Sequence, residues 1–250
     1  MTDPAHTQAD HRIRLEWGPT GGAAVARGAD FVVVVDVLSF TTTVSVAAGR
    51  GITVYPCRWR DARAAAYARE LDANLALPRL DARWRPGSVS LSPWSLQSAI
   101  GIDRLVLPSP NGSTICAELA GSGARVVAAC LRNAAAVADW LRLRLEGGAV
   151  AAVVPAGERW PDGSLRPCVE DLWGAAAVLS GLDPALMSSE ARLARDAYAG
   201  FAERPLEHLY SCASGRELAA MGFEHDVAIA GRLDTSDVVP VLAGDGAFRS

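Results

Sequence analysis

Phe31-Val-Val-Val-Val35 runs straight into Asp36, and Thr41-Thr-Thr43 follows close behind. A run this short and this apolar has no polar face to turn to solvent. It fits the interior of a sheet covered on both sides, which places the chain in the α/β class. A carboxylate at the strand end falls where open α/β sheets put their ligand sites. The threonines open an expected helix over 41–48, whose hydroxyls and free N–H groups can hold an anion. Thr41, Thr42 and Thr43 are therefore candidate substrate contacts beside Asp36.

The rest of the chain repeats this alternation. Strands are expected at 12–17, 52–55, 105–107, 125–129 and 149–154. Helices are expected at 62–71 behind the cap Asp61, and at 115–120, 134–145 and 169–179. Strand and helix in turn mean βαβ units, so the fold expected is a mixed, largely parallel sheet flanked by helices in three layers. Two similar halves are an option within it. Residues 18–28 read as a turn-rich connection and 74–97 as an extended loop over a site. One long helix is expected over 184–201, short helices at 205–212 and 214–221, and late strands at 226–230 and 238–242. Residues 1–11 are expected as a flexible tail before a single domain, 12–250.

Composition removes several functions. The formal charge of −4 argues against a nucleic-acid partner, which needs a basic surface. No apolar run reaches the length of a membrane span, and the start of the chain is polar, so a cytoplasmic protein is expected. Cys57, Cys116, Cys130, Cys168 and Cys212 have no metal or disulfide spacing. All 24 basic residues are arginine. Without lysine, Schiff-base chemistry, the lysine-bearing phosphate loop and lysine-assisted aspartyl phosphatases are excluded. Leu38 also stands where that phosphatase type needs a second aspartate. Only His208 and His225 lie outside the start of the chain, which leaves little for a histidine-based triad.

Two further strand-to-helix turns carry chemistry. Asn111-Gly112-Ser113 reads locally first as an ordinary turn and second as an anion cradle. The loop 155–171 holds Arg159, Arg166 and four carboxylates, ending in Glu170-Asp171. That pair suits a helix start, where the dipole favours negative charge, or a divalent cation held through oxygen. Together the turns suit a small acidic phosphorylated metabolite and metal-assisted phosphoryl hydrolysis.

Val35-Asp-Val-Leu with Thr41-Thr-Thr43, Asn111-Gly-Ser113, Asn133-Ala, Pro155-Ala-Gly157 with Glu170-Asp171, Gly215-Arg-Glu-Leu with Met221-Gly-Phe-Glu-His-Asp226, and 233–242 occur in an order that resembles the 2-phosphosulfolactate phosphatase family. The resemblance implies a Mg2+-dependent phosphatase converting 2-phosphosulfolactate, or a related substrate, to sulfolactate and phosphate. It implies Asp36, Glu170 and Asp171 as catalytic residues, with Asp36 and Glu170 on the metal. Substrate contacts would be Thr41 to Thr43, Asn111, Gly112, Ser113, Asn133 and Arg159. A second copy of the chain, in a homodimer, is a further expected partner. Ser39-Phe40 stands where the family commonly has Arg-Ala, so either Arg159 or Arg166 supplies that charge or the substrate carries one anion fewer. The alternative is a diverged, non-catalytic member that binds an acidic metabolite.

Overall fold

The computed structural model describes residues 3–85 and 87–250; Met1, Thr2 and Pro86 lie outside that description. In chain order the elements are β1 (Ile13–Leu15), α1 (Gly18–Val25), β2 (Phe31–Val35), α2 (Phe40–Ala48), β3 (Thr53–Cys57), α3 (Ala62–Glu70), β4 (Asn74–Leu75), α4 (Arg79–Ala82), α5 (Pro93–Gln97), β5 (Arg104–Pro108), α6 (Gly112–Leu119), β6 (Arg125–Ala129), α7 (Ala134–Glu146) and β7 (Ala151–Pro155). A small hairpin, β8 (Glu158–Arg159) and β9 (Leu165–Arg166), leads into α8 (Val169–Ser180). Five helices follow: α9 (Ser189–Asp196), α10 (Tyr198–Ala202), α11 (Pro205–Ser211), α12 (Ala213–Ala220) and α13 (Glu224–Ala230). The described chain closes with β10 (Val241–Leu242) and β11 (Phe248–Arg249).

Nine strands form the main sheet in the order β1-β7-β2-β6-β10-β11-β3-β5-β4. The class is α/β and the sheet mixed and largely parallel. β1, β7, β2 and β6 are parallel to one another, as are β3, β5 and β4. Between these sets stand β10 and β11, and each pairing from β6 across to β3 is antiparallel. The two parallel sets therefore run in opposite directions.

β2 is buried on both faces, as its composition requires. Val33 and Val35 pack with Leu131, Val137, Leu141 and Val178 on the face covered by α7 and α8. Val32 and Val34 pack on the other face with Phe40, Val44, Ile115, Leu107 and Phe248. That second cluster draws on both parallel sets. The sheet must curve around α2 and α6 for residues of β2 and β5 to share it.

Several expectations are corrected. Residues 18–25 form α1, with Pro19 in its first turn where a missing N–H costs nothing. The 74–97 segment carries β4, α4 and α5. The long helix over 184–201 is broken: a 3-10 turn spans Pro184–Leu186, Ser188 caps α9, and α10 follows. Residues 226–230 are helical, because a short apolar run does not distinguish strand from helix by its period. Only Val241–Leu242 of the last expected strand joins the ladder, and β11 was not foreseen. Residues 3–10, expected to be loose, lie against β1: the Gln8 side chain donates to Leu15 O and accepts from Leu15 N, at 2.8 and 3.0 Å. Among the described residues no helix is long and apolar enough to cross a membrane.

The seating of α8 on β2 depends on Gly174. A Cβ there would stand 2.6 Å from Val37 Cγ2 and 2.7 Å from Val35 Cγ1. Alanine gains about 1 kcal/mol in helix propensity, but overpacking a buried strand costs about 1–3 kcal/mol. Overpacking prevails because both valines are fully buried. Gly174→Ala is expected to lower the Tm by about 2–4 °C in a calorimetric scan.

Candidate active site

Asp36 leaves β2 into a tight turn that its own neighbours fasten. The Asp36 N–H donates to Thr41 Oγ1 (2.9 Å), and that hydroxyl donates back to Asp36 O (2.7 Å). Thr42 Oγ1 donates to Val37 O and Thr43 Oγ1 to Ser39 O, each at 2.7 Å. The Leu38–Ser39 peptide is cis. All three threonines are fully buried. Their hydroxyls are spent on the turn, which corrects the expectation that they touch substrate.

The Asp36 carboxylate accepts from two helix starts. Phe40 N–H of α2 donates to Oδ1 (3.0 Å) and Gly112 N–H of α6 to Oδ2 (2.9 Å). The second bond joins the exit of β5 to the exit of β2, although these strands belong to oppositely directed sets. Glycine is required at 112 for this approach: a Cβ would lie 2.3 Å from Phe40 and 2.7 Å from Asp36 Oδ2. Ser113 is buried, its hydroxyl donating to Leu107 O, so it too is structural. Asn111 is half-buried, and its side chain does not cap α6.

Asp171 repeats the arrangement. Val37 N–H donates to its Oδ1 (2.7 Å) and Gly157 N–H to its Oδ2 (2.9 Å), tying α8 to the exits of β2 and β7. Asn133 is 0 % exposed. Its amide accepts from Cys130 N and donates to Ala128 O and Val238 O, leaving nothing to face a ligand. Its expected place in the substrate site is corrected to a staple between β6 and the C-terminal segment.

These acids share a buried field. Asp36 is 6 % exposed, and burial pushes its carboxyl up to about 6 against the pull of the Phe40 and Gly112 N–H groups. Glu158 pushes the same way, and Arg79 opposes. Asp171 stands well above the usual carboxylate range, through burial first and then repulsion from Asp36 and Glu170. Glu170 is buried beside Cys212, whose thiol is pushed up to about 12 by burial and then by Glu170. The oxygen donors of Asp36, Glu158, Glu170 and Asp171 suit a hard cation, and their mutual repulsion favours one. Among the described residues no three His, Cys, Asp or Glu side chains stand together as a ready cage. One or two of these carboxylates, rather than a full protein cage, are the groups that could hold a hard cation here.

Cationic groups surround the acids. Arg166 pairs with Glu158 and reaches Ser214 Oγ at 3.2 Å. Arg159 is exposed and donates to Gly163 O. Neither meets Ser39. The guanidinium there is Arg79's, whose Nη2 donates to Ser39 Oγ at 2.5 Å. Arg79 lies in α4, within a segment with no readable period, and only the tertiary fold brings it here. Glu158 and Asp226, the latter bonded to Arg79, are likewise additions.

Two cavities approach the site. One of about 250 Å3 is lined by Asn111, Glu158 and Arg159, with Trp17 and Thr20 opposite. The other, of about 370 Å3, is lined by Arg79, Arg60, Asp61 and Pro108. Asp36 lines neither, but it is bonded to Gly112 beside the first and shares a turn with Ser39, which touches Arg79 of the second. The structure thus ties Gly112 to Asp36, sets Asp171 within electrostatic reach of both Asp36 and Glu170, and puts Asn111 and Arg159 on an adjoining cavity that neither Asp36 nor Glu170 lines.

A family model described as 2-phosphosulpholactate phosphatase matches residues 23–245. No curated protein matches the chain.

The raised Asp36 pKa has a signed consequence for stability. The unfolded chain releases this proton near the ordinary carboxylate value, before the folded one does. The contribution is fully present below pH ~4 and is lost as pH rises through about 6, up to about 3 kcal/mol. Measured against Asp36→Asn in urea unfolding, the wild type is expected to lose stability between pH ~4 and ~6 and to run parallel to the variant above that.

Proposed function

The chain belongs to the 2-phosphosulpholactate phosphatase family, and from that premise we propose that it hydrolyses a small acidic phosphoester, 2-phosphosulpholactate or a close relative, with Mg2+. The observation that carries this reading is the Asp36 carboxylate: buried, raised to about 6, and fixed by N–H groups from the starts of α2 and α6. Hydrolysis requires water to attack phosphorus, the phosphorus–oxygen ester bond to break and the alcohol to leave with a proton. Above about pH 6 Asp36 is an anion that can take either a cation or a proton from that water.

Asp36 and Glu170 are the residues that would hold Mg2+. When bound, the ion neutralises phosphate charge and lowers the pKa of water. Asp171 works through position: its two backbone bonds keep the β2 and β7 exits at one spacing. Asn111 and Arg159 face the cavity where an acidic ligand would enter, with Arg159 supplying charge and Asn111 an amide. Glu158, paired with Arg166, keeps the wall between that cavity and the acids polar.

A second reading, a non-catalytic member that binds an acidic metabolite, draws on the near closure of Asp36 and Glu170 from solvent. Turnover separates the two. Phosphate release from 2-phosphosulpholactate and from a panel of small phosphoesters is expected with Mg2+, to vanish on chelation with EDTA and to return when the ion is restored. Asp36→Asn is expected to lower kcat by ~100-fold or more. Absence of release from every ester with Mg2+ present favours the binding reading.

A further inference from the structure

Arg79 is held by more than an ordinary surface ion pair would need. Its Nε donates to Asp226 Oδ2 (3.3 Å) and its Nη2 to Ser39 Oγ (2.5 Å). Its side chain is 18 % exposed, and its guanidinium packs 5.7 Å from the Phe223 ring centre. Asp226 is almost fully buried and anchored from a second element: Ser92 Oγ donates to its Oδ1 at 2.5 Å and Trp94 N–H to the same oxygen at 3.2 Å. The cap and first turn of α5 therefore fix Asp226, Asp226 fixes Arg79, and Arg79 is aimed at the turn that follows Asp36.

A guanidinium offers five N–H donors in a planar fork. Ser39 and Asp226 use two of them, and Nη1 bonds to no atom of the described residues. The group opens instead on the cavity of about 370 Å3, and its other flank lines a second cavity with Ser92, His225 and Asp226. Through Ser39 the guanidinium stands beside the turn that carries Asp36, without bonding to Asp36 itself. An open planar fork at that place can grip the carboxylate or sulfonate of a phosphoester held near Asp36 through paired bonds.

We propose that Arg79 binds the second acidic group of the substrate, a carboxylate or sulfonate, and that Asp226 is the positioning residue that orients it. This rests on the phosphatase reading. It is tested with two esters that differ in that group: 2-phospholactate, which carries a carboxylate, and isopropyl phosphate, which does not. Arg79→Gln is expected to raise KM for 2-phospholactate tenfold or more with kcat within about threefold, while kcat/KM for isopropyl phosphate falls less than about threefold. Arg79→Lys recovers part of the loss. Asp226→Asn shifts the same ratio in the same direction by a smaller factor. The double variant Arg79→Gln/Asp226→Asn removes both buried charges and gives the same selectivity loss if the single variant folds poorly. Equal losses on the two esters, or a fall in kcat at unchanged KM, overturn the proposal. If the wild type hydrolyses neither ester, the phosphatase reading is judged by the wider panel, and calorimetric titration with 2-phospholactate decides the role of Arg79. A tenfold weaker affinity in Arg79→Gln supports it; equal affinity, or no binding to either protein, overturns it.

Discussion

The bond between the Asp36 carboxylate and the backbone N–H groups of Phe40 and Gly112 is the interaction on which the rest of the site depends. A carboxylate taken out of water loses its hydration, and only directed donors make that tolerable. Two N–H groups at helix starts are such donors, otherwise unpaired. Asp171 solves the same problem with Val37 and Gly157. Each acid thereby becomes a fastening between elements distant in the chain. The compensation is incomplete, because burial still dominates and leaves Asp36 and Asp171 raised. That residual cost is the physical mark of a centre that favours a positive charge or a proton.

The curvature of the sheet makes the first fastening feasible. β5 runs opposite to β2, and in a flat sheet their exits would face away from each other. The antiparallel insertion of β10 and β11 reverses the second parallel set, and the shared core around α2 and α6 folds that set back. Gly112 then comes within 2.9 Å of Asp36. Phe40 lies beneath this contact and packs edge-on against Phe248 of β11, so the late hairpin also supports the turn after Asp36.

Much of this was readable from residues alone. The Phe31 to Val35 strand, the carboxylate at its end, and the acid pair at the start of α8 follow from local composition, and each stands where expected. Thr41 to Thr43 and Ser113 were read as ligand contacts because free hydroxyls at strand ends commonly are, and Asn133 because of its place in the family resemblance. The fold spends them instead on its own carbonyls and N–H groups, a choice that depends on packing rather than on residue type. Arg79 and Asp226 were not read as site residues, for a different reason. Arg79 sits in a segment without a period, and Asp226 lies in the first turn of a seven-residue helix whose apolar part reads as a strand. Their meeting with Ser39 joins three separate parts of the chain, and no local pattern encodes it.

On the function proposed above, Asp36 is a buried acid whose proton and a cation compete for the same oxygens. Its carboxyl carbon can be followed by NMR in protein carrying 13C-labelled aspartate, with Asp36→Asn identifying the signal. A midpoint near 6 without metal, moving downward when Mg2+ is added, is the result expected. A midpoint near that of an ordinary aspartate, about 4, unmoved by Mg2+, would contradict it.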